Sequence, residues 1–117
     1  MRRVTIDVRK HGDVCILDIG GEVRIGEPTD RLRQMSKELV KSGERRFVLD
    51  MLDVPWLDSS GIGEVFACYK RARELGGVVK LVLKGKSYSL FTITQLDSVF
   101  EIFDNVDEAI ASFEKNS

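Results

Sequence analysis

The architecture of this chain turns on three neighbouring stretches: Phe47-Val48-Leu49-Asp50-Met51, Leu57-Asp58-Ser59-Ser60-Gly61-Ile62-Gly63 and Val78-Val79-Lys80-Leu81-Val82-Leu83. The first and third are short and mostly apolar, as strands covered on both faces are. The middle one opens a helix predicted from Ser60 through Leu75, with Ile62, Val65, Phe66, Tyr69, Ala72 and Leu75 as its apolar stripe. Gly76-Gly77 ends that helix, and Pro55 in Asp53-Val54-Pro55-Trp56 makes the segment before it a loop, because proline removes a ladder donor. A strand, a helix of crossover length and a second strand form a parallel, right-handed unit.

Toward the amino terminus, Val4, Ile6 and Val8 alternate with polar residues, and Val14-Cys15-Ile16-Leu17-Asp18-Ile19 is a second apolar run. The Gly12-containing segment between them predicts a hairpin. Gly20-Gly21 interrupts the pattern, and Glu22-Val23 is expected to extend the strand past a bulge. Gly26-Glu27-Pro28-Thr29-Asp30 is a helix entrance, followed by Leu32, Met35 and Leu39 at helical spacing and a stop at Ser42-Gly43. Toward the carboxyl terminus, a short helix is expected from about Ser87 to Gln95 and a last strand over Val99-Phe100-Glu101-Ile102-Phe103. Asn105 and Glu108 make a capping box for a closing helix whose inner face is Val106, Ala109, Ile110 and Phe113. The predicted order is β-β-α-β-α-β-α-β-α: an α/β fold with a mixed sheet, antiparallel at its hairpin and parallel beyond it, packed with about four helices.

Composition narrows the function classes. The 117 residues match the size of one domain, expected to cover 1–117 without a linker or repeat. Eighteen basic residues against nineteen acidic ones leave a net charge of −1, which argues against nucleic-acid binding through a basic surface and against an electrostatic membrane anchor. No apolar run reaches the roughly 20 residues of a membrane span, and the charged, alternating start does not resemble a signal peptide. Cys15 and Cys68 lie far apart in apolar segments and are expected as buried free thiols, in keeping with a reducing cytoplasm. The single histidine, His11, sits in Lys10-His11-Gly12-Asp13 and is expected as a solvent-exposed turn residue. One His and two scattered Cys do not make a zinc site, and neither a metal nor a cofactor is expected.

The segment Asp58-Ser59-Ser60-Gly61-Ile62-Gly63 follows a central strand and opens the best helix, the place where α/β sheets gather function. From the residues alone three readings stand open. Asp58, Ser59 or Ser60 caps the helix, with Gly61 and Gly63 permitting close packing. The helix start binds a nucleotide phosphate, although Gly61-Ile62-Gly63 lacks the spacing and the lysine of a phosphate loop. Or a serine accepts a phosphate from another protein. With no histidine nearby and Asp58 a poor base at neutral pH, such a serine is better read as a substrate than as a catalyst.

At these residues the chain resembles the STAS domain family, and most closely the bacterial anti-sigma factor antagonists. The strand Phe47–Met51, the loop and the Asp58–Gly63 helix start carry the resemblance. The hairpin with Gly21-Glu22, the Gly-rich end of the second helix and the closing strand and helix match too, so the likeness spans about residues 4 to 115. It implies a non-enzymatic, cytoplasmic partner-switching regulator of transcription. Such a protein binds an anti-sigma factor that is also a serine kinase, is switched off when that kinase phosphorylates the first serine after the motif aspartate, and is reset by a serine phosphatase. Carried onto this chain, the phosphoacceptor is Ser59, and Asp58, Ser59, Ser60, Gly61, Ile62, Gly63, Arg24 and Trp56 form the partner-binding surface. Gly61 and Gly63 would let a partner backbone approach. One position departs from the family: where many members carry Leu-Asp, this chain has Val23-Arg24. Arg24 is then a partner for Asp58, a holder of the phosphate on Ser59, or a solvated charge.

Trp56 reads either as an exposed anchor or as a lid over the core, and Tyr88, Leu90 and Phe91 as core with some interface. Lys84, Lys86 and the Lys70-Arg71-Arg73 cluster read as solvated charges. Two alternatives stand beside the main reading: the same fold as the STAS subunit of a lipid-transport ABC complex, touching a membrane only indirectly, and a small enzyme using Asp58 and Ser59.

Overall fold

The computed structural model describes residues 3–115. Its elements run β1 (Thr5–His11), β2 (Val14–Gly20), α1 (Glu27–Lys41), β3 (Arg46–Asp53), α2 (Ser59–Glu74), β4 (Val78–Val82), α3 (Gly85–Ile93), a 3-10 turn (Leu96–Ser98), β5 (Ile102–Phe103) and α4 (Val106–Lys115). The strands lie side by side in chain order in one sheet. β1 is antiparallel to β2 and every other neighbour pair is parallel, as the crossover helices require.

Alternation along the strands sends side chains to two cores. Cys15, Leu17, Phe47, Leu49, Val79 and Leu81 face Leu32 of α1, Val65 and Ala72 of α2, and Phe91 of α3. Val14, Ile16, Val48 and Val82 face Ala109, Ile110 and Phe113 of α4. Each aliphatic side chain buried in this way stabilises the fold by about 1.5–3 kcal/mol. Both cysteines are buried and free, and burial pushes each thiol up to about 11, which keeps them protonated and unreactive.

Charged residues are built into both layers. Glu64 of α2 is buried, and it accepts from Arg33 Nε of α1 at 3.0 Å and from Arg71 Nη1 at 2.8 Å. Arg71 also donates to Ser36 Oγ at 2.9 Å, so the Lys70-Arg71-Arg73 group is not simply solvated. On the other face Lys80 is 1% exposed. Its ammonium donates to Ser112 Oγ at 2.6 Å, lies 3.6 Å from Glu101 and sits 4.3 Å from the centre of the Phe113 ring. A buried charge is tolerable only with such partners.

Several boundaries differ from the sequence reading, each for a local reason. His11 is the last residue of β1, exposed and paired with Val14; the turn itself is Gly12-Asp13, with Gly12 at φ +61°. Val23 does not extend β2. It forms an isolated parallel bridge with Leu57, and the register irregularity falls at Asp18/Gly20. Leu75 caps the end of α2 and is 55% exposed, outside the predicted stripe. α3 starts at Gly85 and stops at Ile93, because Gln95 turns left-handed at φ 62°. The last strand keeps only Ile102 and Phe103. Upstream, Phe100 turns into the core with its ring 5.1 Å from Tyr69 and 6.0 Å from Phe91, and the 3-10 turn draws in Val99, so neither residue is free to stay in the ladder.

Candidate functional site

The predicted residues gather beyond the carboxyl ends of β2 and β3, where the 21–26 segment runs beside the 54–58 loop. Val23 is the hinge of this contact. Its N–H donates to Trp56 O at 3.1 Å, and its carbonyl accepts from Asp58 N at 3.3 Å. Gly61 then packs against that carbonyl so closely that a Cβ there would lie 2.2 Å from Val23 O. The requirement for glycine at 61 is therefore met inside the chain rather than by a partner's backbone. Gly63 differs, because a Cβ there would meet nothing within 4 Å.

Asp58 fastens the two segments. One carboxylate oxygen accepts from Gly61 N at 2.8 Å and caps α2; the other accepts from Ile25 N at 2.9 Å. Partial burial pushes this carboxyl up, but the backbone donors Ile25, Gly61 and Ser60, together with the charge of Arg24, outweigh it and hold the group below the usual carboxylate range. An ionised group with both oxygens engaged is unsuited to act as a general base. His11 is no substitute: it pairs with Val14 at the amino-terminal end of β2, whereas Ser59 lies beyond the carboxyl end of β3, a strand's length away. The geometry lends nothing to Ser59 as a nucleophile.

Ser59 is the first residue of α2, exposed, and its side chain makes no hydrogen bond among the described residues. Ser60 is half-buried and Ile62 is buried at 8% exposure, so Ile62 belongs to the core rather than to a surface. Trp56 is 39% exposed, partly lid and partly surface. Arg24 forms an ion pair with Glu22 and not with Asp58, which it influences only through its field. Tyr88 is exposed, Leu90 half-buried and Phe91 wholly buried.

Sequence reading missed Ile25, which is 73% exposed beside Asp58. It lines a groove of about 490 Å³ with Val4, Glu22, Arg24 and Pro28. A lone isoleucine between Arg24 and Gly26 carries no periodic signal, so only the Asp58 hydrogen bond reveals its place. At this end of the molecule an exposed hydroxyl, an exposed apolar residue and a partly exposed indole share one rim. The rim surrounds the start of α2, the end of the helix whose dipole favours negative charge.

Comparison with known proteins adds to this geometry. The model of the STAS domain family matches residues 5–109. The anti-sigma F factor antagonist of Paenibacillus polymyxa is 24% identical over 111 residues, covering 93% of this chain and 94% of the relative. Among solved structures, an anti-sigma factor antagonist from Mycobacterium paratuberculosis superposes with a TM-score of 0.83 at 24% identity, covering 94% of this chain and 93% of that one. The Bacillus cell fate determinant SpoIIAA in its phosphorylated form gives 0.74 at 15% identity, covering 93% and 99%. At these identities the structural likeness concerns the fold.

Proposed function

The chain belongs to the STAS domain family, and from that premise we propose that it is an anti-sigma factor antagonist: a regulatory binding protein that engages an anti-sigma factor with serine kinase activity and is switched off by phosphorylation of Ser59. The observation that carries this reading is the state of Ser59. It is exposed, unbonded and first in α2, while Asp58 beside it does all the capping. A hydroxyl that no structural role occupies, at a helix start that tolerates an anion, suits an acceptor presented to another protein's active site. The fold likeness to SpoIIAA in its phosphorylated form supports the same direction.

Phosphate adds roughly −1.5 to −2 charges at pH 7. A −2 charge ~6 Å from a partner carboxylate costs about 1.4 kcal/mol at the dielectric of water and about 5.5 kcal/mol at an effective value of ~20. Each 1.4 kcal/mol is about tenfold in affinity. A partly dehydrated interface therefore turns one modification into a decisive switch, with no change of fold. Arg24 belongs to the switch as well: it gives up Glu22 to hold the phosphate. A serine phosphatase reverses the state. Ile25, Trp56 and Gly63 complete the contact surface.

The test is a pull-down from lysate of the source organism, with the wild-type chain, Ser59→Ala and Ser59→Asp as baits and the captured proteins identified. The expected result is a serine kinase of anti-sigma type captured by wild type and Ser59→Ala and lost with Ser59→Asp. Transporter subunits captured by all three baits would overturn the assignment in favour of a transport assembly. Arg24→Ala is expected to slow phosphorylation or alter partner affinity; no change in either removes Arg24 from the switch.

A further inference from the structure

β1 ends the sheet, and among the described residues nothing pairs with its outer edge. Which of its backbone groups face outward follows from the hairpin. The turn is Gly12-Asp13, so the turn's own hydrogen bond makes His11–Val14 a bonded pair. Bonded and non-bonded pairs alternate along an antiparallel ladder. Arg9–Ile16, Asp7–Asp18 and Thr5–Gly20 are therefore the further bonded pairs of an unbroken register. Ile6, Val8 and Lys10 are left with N–H and C=O groups directed away from the sheet.

Such an edge is a template for another strand, and charges normally blunt it. Here the charges are arranged to complement themselves: Asp7 and Arg9 flank Val8, which is 40% exposed. We propose that a second copy of this chain docks antiparallel on β1 about a two-fold axis at Val8, joining the two sheets into one. In this register Val8 faces Val8 of the copy and Ile6 faces Lys10, so every outward N–H and C=O is paired. Asp7 faces Arg9 of the copy in the close, non-bonded positions, twice per dimer. The neighbouring two-fold registers fail on charge: an axis at Asp7 sets Asp7 against itself, and one at Arg9 sets Arg9 against itself. Arg9 already holds Asp18 through Nε at 2.6 Å and Nη2 at 3.4 Å, which fixes the guanidinium and leaves Nη1 for the carboxylate across the edge.

Sedimentation of the full chain over a concentration series up to millimolar tests the proposal. The wild type is expected to pass from monomer to dimer. Val8→Pro removes an N–H that β2 does not use, so it is expected to stay monomeric, with an unchanged melting curve at dilutions where the wild type is monomeric too. Asp7→Arg places like charges at both cross-edge contacts and is expected to weaken the dimer about tenfold or more. Adding Arg9→Glu to Asp7→Arg is expected to restore it, because the new arginine faces Asp18 within the chain and the new carboxylate across the edge. A wild type that stays monomeric throughout, or a dimer indifferent to both Val8→Pro and Asp7→Arg, overturns the proposal.

Discussion

Replacing Gly61 by alanine sets a methyl carbon 2.2 Å from the Val23 carbonyl oxygen. Ordinary contact begins near 3.4 Å, so α2 and the 21–26 segment must part by about 1.2 Å. The hydrogen bonds that span this contact have no such slack: Asp58 N to Val23 O is already 3.3 Å, Val23 N to Trp56 O is 3.1 Å, and Ile25 N to Asp58 Oδ2 is 2.9 Å. Losing two or three of them costs about 1 kcal/mol each, and the residual overpacking adds about 1–3 kcal/mol. Against this, alanine is the better helix former by about 1 kcal/mol. The net expectation is a loss of about 2–5 kcal/mol, which for a chain of this length lowers the melting temperature by about 8–20 °C. Gly63→Ala is the control, since its methyl meets nothing within 4 Å and the same helix preference is then expected to raise the melting temperature by about 2–4 °C. Thermal melts followed by far-UV circular dichroism measure both. If Gly61→Ala melts no lower than the parent, the close contact with Val23 does not organise this end of the molecule.

Three further changes probe the charged groups. Asp58→Ala removes the α2 cap and the hold on Ile25 together and is expected to cost about 1–3 kcal/mol at neutral pH. Because the Asp58 carboxyl is held below its usual range, its contribution is present above about pH 4 and fades as pH falls through the folded-state value. The gap between wild type and variant should close in acid. Asp50 behaves in the opposite sense: burial and then the neighbouring Asp18 push it up to about 6, so its protonated form is favoured and stability from this group is lost as pH rises from about 4 through 6. Asp50→Asn should flatten that part of the pH–stability profile and be no less stable than wild type at pH 8; a profile left unchanged would deny that Asp50 takes up a proton on folding. Glu64→Gln takes the counter-charge from Arg33 and Arg71 and is expected to cost about 2–4 kcal/mol, seen as a lower denaturation midpoint with an unchanged slope.

How much was legible in the sequence depends on what each element needs. The strand and helix order follows from periodicity, but residue types at the start of α2 offer Asp58, Ser59 and Ser60 alike as caps, and only the bonds from Gly61 and Ile25 single out Asp58 and leave the Ser59 hydroxyl free. The two-residue β5 was not legible, because Val99-Phe100 has a strand's composition and only the aromatic contacts of Phe100 turn it inward. The burial of Glu64 and Lys80 was not legible, since nothing local announces that Arg33, Arg71 or Ser112 will enclose them. Ile25 and Val23 stayed hidden for the same reason: their roles are hydrogen bonds to residues more than thirty positions away.

The division of Asp58 between Ile25 and Gly61 has a consequence for how this end of the molecule can evolve. Both of its oxygens must accept. Asparagine would turn one into a donor aimed at an N–H, and glutamate would reach a methylene too far. Position 58 is thereby frozen by two segments at once, so a drift in either is resisted by the other. Ser59, one step along, is bound by neither. The chain thus sets an architectural residue held from two sides directly beside one that no internal contact holds, so the second can be modified without dismantling the first.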